Sequence, residues 1–104
     1  MIRKELEFED KKYCVLVPQE SKDVISEGIS NCNCVASYMD KILNGQCYLF
    51  FIRLIERKEE SLLTLELRED KLVQCKGQYN RPATEEERQF LEKYCKLKDI
   101  KLQL

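Results

Sequence analysis

The chain has 104 residues, of which 43% are hydrophobic and 36% charged, and this predicts one small soluble domain spanning residues 1–104. Three glycines and two prolines exclude a collagen-like chain, and the recurrent Leu, Ile, Val and Phe exclude a disordered one. The formal net charge of −1 argues against a general attraction to nucleic acid or to an anionic membrane. The chain opens into charged sequence without the apolar segment of a secretory signal, and no apolar run is long enough to span a bilayer, so we expect a cytoplasmic protein with no membrane contact.

The first elements are a strand and a short helix. Residues 13–17 form a β-prone run that Pro18 closes. Ser21 is a capping residue, and the helix that follows is predicted to turn Val24 and Ile25 inward and to end at Gly28.

The middle of the chain predicts a second helix and three strands. Capping residues at 31–33 precede apolar side chains at helical spacing, and Asn44-Gly45 ends that helix. Residues 46–55 are almost continuously apolar, as in a central strand that is covered on both faces. Residues 63–68 alternate apolar and polar, which predicts a half-buried strand, and residues 72–76 predict the next strand of a meander.

The last part predicts a third helix and a terminal strand. Thr84 and Glu87 form a T-x-x-E capping box at the helix start. The inward stripe of this helix comprises Phe90, Leu91, Tyr94 and Leu97. Residues 100–104 alternate as in a short strand. The elements together predict an α+β fold, an antiparallel meander sheet of about 4–5 strands with about 3 helices packed mainly on one face.

The residue types restrict the chemistry. The absence of histidine excludes Cys–His and Ser–His nucleophile pairs and every histidine-containing metal site. The six cysteines include the close pair Cys32 and Cys34, but a structural zinc site needs a second pair, and phosphate-binding glycine motifs are missing. We therefore expect no metal and no cofactor, and we favour a non-catalytic protein while leaving an enzyme open. Cys34 and Tyr38 lie near the start of the second helix; Cys34 is either a thiol whose pKa the helix dipole lowers or an ordinary buried cysteine.

Polar side chains interrupt the predicted strands. Arg53 lies in an apolar strand and needs a carboxylate, an anion or solvent. Hairpin counting places Arg53 opposite residues 64–66 and Glu66 opposite Gln74. The structural interpretation is a cross-strand ion pair between Arg53 and Glu66, with Gln74 beside it. The functional interpretation is a binding surface that joins this row to a loop with a stacking ring, an amide and a guanidinium: Arg53, Glu66, Gln74, Lys76, Tyr79, Asn80 and Arg81.

The carboxyl-terminal third is mildly basic. From Lys71 to Leu104 there are eight basic residues and five acidic ones. Two interpretations stay open, a solvated face of mixed charge and a phosphate-binding patch.

Short motifs follow one another along the chain: Ser26-Glu27-Gly28, Cys34-Val35-Ala36-Ser37-Tyr38, Phe51-Ile52-Arg53, Thr64-Leu65-Glu66, Val73-Gln74-Cys75-Lys76-Gly77 and Asn80-Arg81. In these motifs the chain resembles the PcfJ-like domain family, from about Val15 to about Tyr94. The resemblance implies an α+β domain and a setting in conjugative plasmids, phages and related mobile elements, without a catalytic assignment. The family pattern usually has histidine where this chain has Asn33, so any role of that histidine does not carry over.

These features predict a small non-catalytic binding protein of a phage or mobile element. It would bind a host protein in the bacterial cytosol and inhibit a defence system such as CRISPR. The first alternative is a nucleic-acid-binding accessory factor in conjugative DNA processing, which uses the basic third and Tyr79 and whose affinity falls steeply with salt. The second alternative is an enzyme or binder acting on a nucleotide-type small molecule through Cys34, Tyr38, Arg53 and Glu66. The target and the oligomeric state stay open.

Overall fold

One mixed sheet organises the molecule. The computed structural model describes residues 2–31 and 44–104. Within them, six strands lie side by side in chain order: β1 Phe8–Glu9, β2 Tyr13–Leu16, β3 Tyr48–Leu54, β4 Leu63–Arg68, β5 Lys71–Lys76 and β6 Lys101–Leu102. Strands β1 to β5 are antiparallel, whereas β6 pairs with β5 in parallel. Two α-helices are described, α1 Ser21–Asn31 and α2 Glu85–Lys98.

The two faces of the sheet differ in character. Residues that pair directly across neighbouring strands point to the same face, and successive residues of one strand point to opposite faces. The core face of the sheet carries an apolar set: Val15, Phe50, Ile52, Leu63, Leu65 and Cys75. The opposite face, called the polar face below, carries Arg53, Thr64, Glu66, Gln74 and Lys76.

Helix α2 covers the core face. The Phe90 ring lies 5.0 Å from the Tyr13 ring, and the buried Tyr94 ring lies 6.3 Å from the Phe50 ring. The Tyr94 hydroxyl donates a 2.5 Å hydrogen bond to the carbonyl of Leu6, so this polar group is satisfied inside the core. Burying each such side chain contributes about 1.5–3 kcal/mol. The helix begins at the predicted capping box, in which Thr84 and Glu87 each bond the backbone N–H of the other.

Helix α1 covers the polar face. Its Glu27 is fully buried and bonds the Arg53 side chain of β3, which points away from the Phe50 and Ile52 layer. The helices thus lie on opposite faces of the sheet. Neither described helix combines the length and apolar character that a membrane-spanning segment needs.

The predicted fold class is wrong in three respects. The sheet has six strands rather than 4–5, it is mixed rather than an antiparallel meander, and the two described helices lie on opposite faces rather than on one. The extra strand β1 lies in the charged stretch before residue 10, where period-two alternation is too short to recognise. The parallel β6 arises because α2 crosses the core face and returns the chain beside β5. The predicted second helix falls outside the described residues.

Single elements follow the sequence more closely. The strands predicted at 13–17, 46–55 and 72–76 and the capping box of α2 are confirmed. Strand β4 is covered on both faces rather than half-buried, since Thr64 and Glu66 are buried together with the leucines. The predicted inward positions are wrong for two residues, because Ile25 is 46% exposed and Leu97 is 62% exposed.

The start and end of α1 also differ from expectation. The helix passes through Gly28 and continues to Asn31, since an internal glycine costs only about 1 kcal/mol and packing outweighs it. At its start, the Asp23 carboxylate accepts hydrogen bonds from the backbone N–H groups of Gln19 and Glu20 at 2.9 and 3.0 Å. This arrangement satisfies backbone donors ahead of the first turn.

Candidate functional site

The predicted polar row shares one face but is not continuous. Glu66 lies opposite Gln74, as predicted. Arg53 does not lie opposite residues 64–66; it pairs with Cys14 of β2, and Phe51 stands opposite Thr64. The predicted ion pair between Arg53 and Glu66 is therefore wrong. The connection from β3 to β4 contains a 3-10 turn, Ile55–Arg57, and the strands pair with Ile52 opposite Leu63, so the register is offset from the one that hairpin counting predicts.

Arg53 links its own strand to two other segments of the protein. Its Nη2 donates to Glu27 Oε1 at 2.5 Å, and its Nη1 donates to the carbonyl of Lys58 at 2.8 Å. Ser61 donates to the same Glu27 oxygen at 2.8 Å. These bonds fasten α1 to β3 and to the β3–β4 connection. Sequence reasoning missed Glu27 as the partner, although it lies in the quoted Ser26-Glu27-Gly28 motif.

The Glu27–Arg53 pair is largely buried, with the Glu27 side chain fully covered and the Arg53 side chain 17% exposed. Burial raises the pKa of Glu27, while Arg53, Ser61 and Thr64 act to lower it. Glu27 Oε2 and Arg53 Nε are buried and accept or donate no hydrogen bond within the described chain. A shallow cleft of about 300 Å³ lies beside the pair, and both Glu27 and Arg53 are among the residues that line it. The pair holds α1 against β3.

Glu66 also has its charge compensated inside the protein. It is 3% exposed and accepts a 2.6 Å hydrogen bond from Arg68 Nε on the same strand. Its neighbour across the strands, Gln74, is half-buried and, like Thr64 and Asn80, is engaged in further interactions within the protein. Lys76 is half-buried at the end of β5, opposite Thr64 and bridged to Pro82.

The segment after β5 is a tight turn that presents an aromatic ring. We call residues 77–82 the Tyr79 turn. The Gly77 N–H donates to the Arg81 carbonyl at 2.8 Å, and the Asn80 N–H donates to the Gly77 carbonyl at 3.1 Å. Tyr79 and Asn80 both have left-handed backbones, with φ of 55° and 61°. Such conformations cost about 1–3 kcal/mol each in residues other than glycine, and they persist where the surroundings impose them. Tyr79 is 74% exposed, and α1 lies beside the turn.

A salt bridge supports the turn from beneath. The Arg81 guanidinium binds Glu87 through two hydrogen bonds of 2.9 and 3.1 Å. A Cβ placed on Gly77 would lie 2.8 Å from Arg81 Nε, so the arginine packs directly on this glycine. Burial opposes ionisation of Glu87, but its bonds to Arg81 and to the Thr84 N–H outweigh burial and lower its pKa. We call Gly77, Arg81, Thr84 and Glu87 the clamp. The capping box was visible in the sequence, but its link to Arg81 was not.

The described thiols are poor nucleophiles. Cys14, Cys47, Cys75 and Cys95 are free and buried. Burial raises the pKa of Cys75 to about 12 and that of Cys95 to about 11, and it also raises the pKa of Cys14. Cys34 and Tyr38 lie outside the described residues. Residues 2–31 and 44–104 contain no group of three or more acidic or cysteine side chains placed to hold a metal ion.

The basic residues of the carboxyl-terminal third are partly paired within the protein. Several of them bind acceptors of the protein itself: Arg81 with Glu87, Arg88 with Glu92, Lys93 with Asp10, and Lys98 with the carbonyl of Glu5. Lys71 and Lys101 stand side by side on β5 and β6, at the far end of β5 from the Tyr79 turn. Such pairing is typical of a solvated face of mixed charge.

Comparison with known proteins places this chain in a family. The sequence pattern of the family described as "PcfJ-like protein" matches residues 2–91. A relative from Listeria innocua serovar 6a, "Uncharacterized protein Lin1253/Lin1744", is 30% identical over 79 residues, which cover 74% of this chain and 17% of that relative. The chain thus spans about a sixth of that relative's length. No solved structure matches. The chain belongs to the family of PcfJ-like proteins.

Proposed function

We propose that this chain is a non-catalytic binding domain that contacts a partner protein through the Tyr79 turn. The observation that carries the proposal is the 74% exposure of Tyr79 on a backbone held in two successive left-handed residues. Exposed aromatic rings on rigid supports bury a large area at a small loss of conformational entropy, and tyrosine is enriched at binding hot spots.

Several of the other predicted site residues interact within the protein instead of forming the proposed binding surface. Arg53 and Arg81 bond buried carboxylates, and Glu66 is buried, so these charges are committed inside the protein. Lys76, Tyr79 and Asn80 lie at or beside the turn. The binding surface that we propose is therefore smaller than the predicted row and is centred on Tyr79, with Lys76 at its edge.

A protein partner is favoured over nucleic acid. Nucleic-acid binding without sequence preference combines aromatic platforms with a continuous positive groove. The basic residues of the last third are dispersed, and several are paired with acceptors of the protein itself. An enzyme is disfavoured because the described thiols are buried with raised pKa values and Arg53 is bound to Glu27.

The wider role belongs to the same proposal. The mobile-element setting that the motifs imply supports a host protein of the bacterial cytosol as the partner. Inhibition of a defence system such as CRISPR is the function that we propose for such binding. A small domain that presents one anchored ring suits a stoichiometric binder, for which an interface needs roughly 800 Å² on each side.

Site-specific photocrosslinking tests the proposal. A benzophenone amino acid is placed at position 79 and, as the matched control, at position 97, since Leu97 is also well exposed but lies on α2. We expect a discrete protein adduct from position 79 in the cell that encodes the chain and none from position 97. Adducts that nuclease removes, or equal protein adducts from both positions, would overturn the proposal. Mass spectrometry of the adduct then tests the wider role, which fails if the captured protein is no part of a defence system.

A further inference from the structure

We infer that Glu87 is a positioning residue for the proposed binding site, because its carboxylate holds Arg81 against Gly77 and so fixes the backbone that presents Tyr79. That the turn binds a partner protein rests on the proposed function. That Glu87 and Arg81 fix the backbone of the turn is independent of the proposed function.

The contacts of Glu87 join two elements through one side chain. One carboxylate accepts two hydrogen bonds from Arg81 and one from the Thr84 N–H, the last at 2.9 Å. Glu87 is 6% exposed and the Arg81 side chain is 37% exposed, so these charge-assisted bonds are partly shielded from water. The start of α2 and the Tyr79 turn are therefore fixed by the same group.

The clamp acts on the backbone of the turn. Arg81 follows the two left-handed residues directly, and its carbonyl accepts the Gly77 N–H that closes the turn. Its side chain doubles back over Gly77, with which it is in closest packing. If Arg81 loses its carboxylate, the hydrogen bond that remains to its side chain within the described residues is the one to the carbonyl of Pro82. Left-handed tyrosine and asparagine then relax towards ordinary backbone conformations.

The clamp requires both the charged carboxylate of Glu87 and the planar guanidinium of Arg81. A glutamine at position 87 keeps the shape and the acceptor for Thr84 but removes the charge that draws Arg81. A lysine at position 81 keeps the charge but cannot form two parallel hydrogen bonds. Either change should release the turn and leave the core face untouched.

The chain contains no tryptophan, so a single introduced tryptophan reports the motion of the turn by its fluorescence without background. Tyr79→Trp creates a single tryptophan at the tip of the turn. Time-resolved fluorescence anisotropy of this residue is compared in Tyr79→Trp alone, with Glu87→Gln, and with Glu92→Gln. The last is the matched control, since Glu92 pairs with Arg88 at 3.7 Å on the same helix but away from the turn.

We expect the fast, local component of the anisotropy decay to grow with Glu87→Gln and to stay unchanged with Glu92→Gln, at a temperature where circular dichroism shows all variants folded. A lower unfolding temperature without any change in the local motion of the introduced indole would show that Glu87 is merely structural and would overturn the inference. Should Glu87→Gln fail to fold, Arg81→Lys provides the same test with the same two outcomes.

A second readout connects the clamp to binding. With the protein captured through position 79, we expect Glu87→Gln to weaken the affinity about tenfold, since a disordered loop must be ordered again on binding. Unchanged affinity would overturn the positioning role. If Glu87→Gln loosens the turn but no partner protein binds, the proposed function is wrong and the positioning role of Glu87 is retained. If the turn stays ordered in Glu87→Gln, the positioning role is wrong, whatever the turn binds.

Discussion

Three buried carboxylates of the described residues, Glu27, Glu66 and Glu87, each accept a hydrogen bond from an arginine that sequence alone could not assign to them. A buried carboxylate without such a partner costs several kcal/mol, and a guanidinium in an apolar strand needs the same compensation. The charged residues of the family motifs thus have structural reasons to be present: Glu27 with Arg53, and Arg81 with Gly77 and Glu87. The Tyr79 side chain instead projects into solvent, which is why binding is assigned to it.

Gly77 is required by the close approach of Arg81. Gly77→Ala would place a methyl group 2.8 Å from Arg81 Nε and 2.9 Å from its Cγ, and moving this side chain breaks its bonds to Glu87. We expect a loss of about 1–3 kcal/mol in the free energy of unfolding, measured by urea denaturation.

The same substitution in an Arg81→Ala background is the control. Removal of the arginine side chain takes away the three atoms closest to the added methyl group, so Gly77→Ala should cost far less there and the two changes should be strongly non-additive. Additive losses would contradict the packing of Arg81 on Gly77.

Arg53 compensates a carboxylate that burial disfavours. Arg53→Met should lower the free energy of unfolding by about 3–5 kcal/mol at neutral pH, because it leaves the buried Glu27 carboxylate without a compensating positive charge. Combining it with Glu27→Leu should restore most of this loss. A double variant as unstable as the single one would show that the pair does more than compensate charge.

The loss in Arg53→Met should depend on pH. Glu27 already has a pKa above its ordinary 4.5, and removing Arg53, which lowers it, raises it further. An acid whose pKa is raised on folding favours the folded state at low pH, and that advantage is lost as pH rises through the folded pKa. The difference between wild type and Arg53→Met should therefore be largest at neutral pH and shrink as pH falls towards 4.5; a difference that grows on acidification would contradict this account.

At the scale of elements, Asp10 fastens the β1–β2 hairpin to α2. Its carboxylate accepts hydrogen bonds from the Lys12 and Tyr13 N–H groups, both at 2.8 Å, and from Lys93 Nζ at 2.9 Å. Partial burial opposes ionisation, but these bonds prevail and lower the pKa of Asp10 from 3.8 to about 2. An acid with a lowered pKa stabilises the fold above its unfolded value, and this stabilisation is lost as pH falls through the folded value.

Asp10→Asn tests this fastening. Wild type should be more stable than the variant at neutral pH, and the difference should disappear between pH 4 and pH 2, the range set by the two pKa values. Urea denaturation across this range is the measurement. A difference that stays constant with pH would show that the carboxylate's charge is not what holds the hairpin.

The elements that sequence predicts well carry a signal within a few residues. The capping box at Thr84 and the continuous apolar run at Tyr48–Leu54 are local patterns, and both are confirmed. The partner of Arg53 could not be predicted, because Glu27 lies 26 residues away and the pairing depends on how α1 crosses the sheet. The register between β3 and β4 was also mispredicted, because it depends on which residues make the turn after β3, and one misjudged turn shifts every pair of these two strands.

At the scale of the whole molecule, the sheet is enclosed by helices on both sides. Strands β3 and β4 lie in its middle with both faces buried, whereas β1 and β6 have two residues each and form the edges. The alternating pattern in residues 63–68 predicts a sheet with helices on one face, because it does not reveal that polar side chains such as Thr64 and Glu66 are covered. Tyr79 could be picked out from its residue type, but its exposure and its left-handed backbone could be learned only from the structure.

Native-state hydrogen exchange tests this layering. Amides of β3 and β4 should exchange only through global unfolding, and those of β1 and β6 should exchange through local opening with smaller free energies. Equal protection of edge and central strands would contradict the arrangement of the sheet.

The most direct test of the central claim is the affinity of the protein captured through position 79 for Tyr79→Ala and Leu97→Ala variants of this chain. Both residues are large, exposed and apolar, but only Tyr79 lies on the clamped turn. We predict that Tyr79→Ala weakens binding by at least about 2 kcal/mol, as expected of a hot spot, and that Leu97→Ala leaves it unchanged. Equal affinities of the two variants would contradict the claim that this domain binds through its Tyr79 turn.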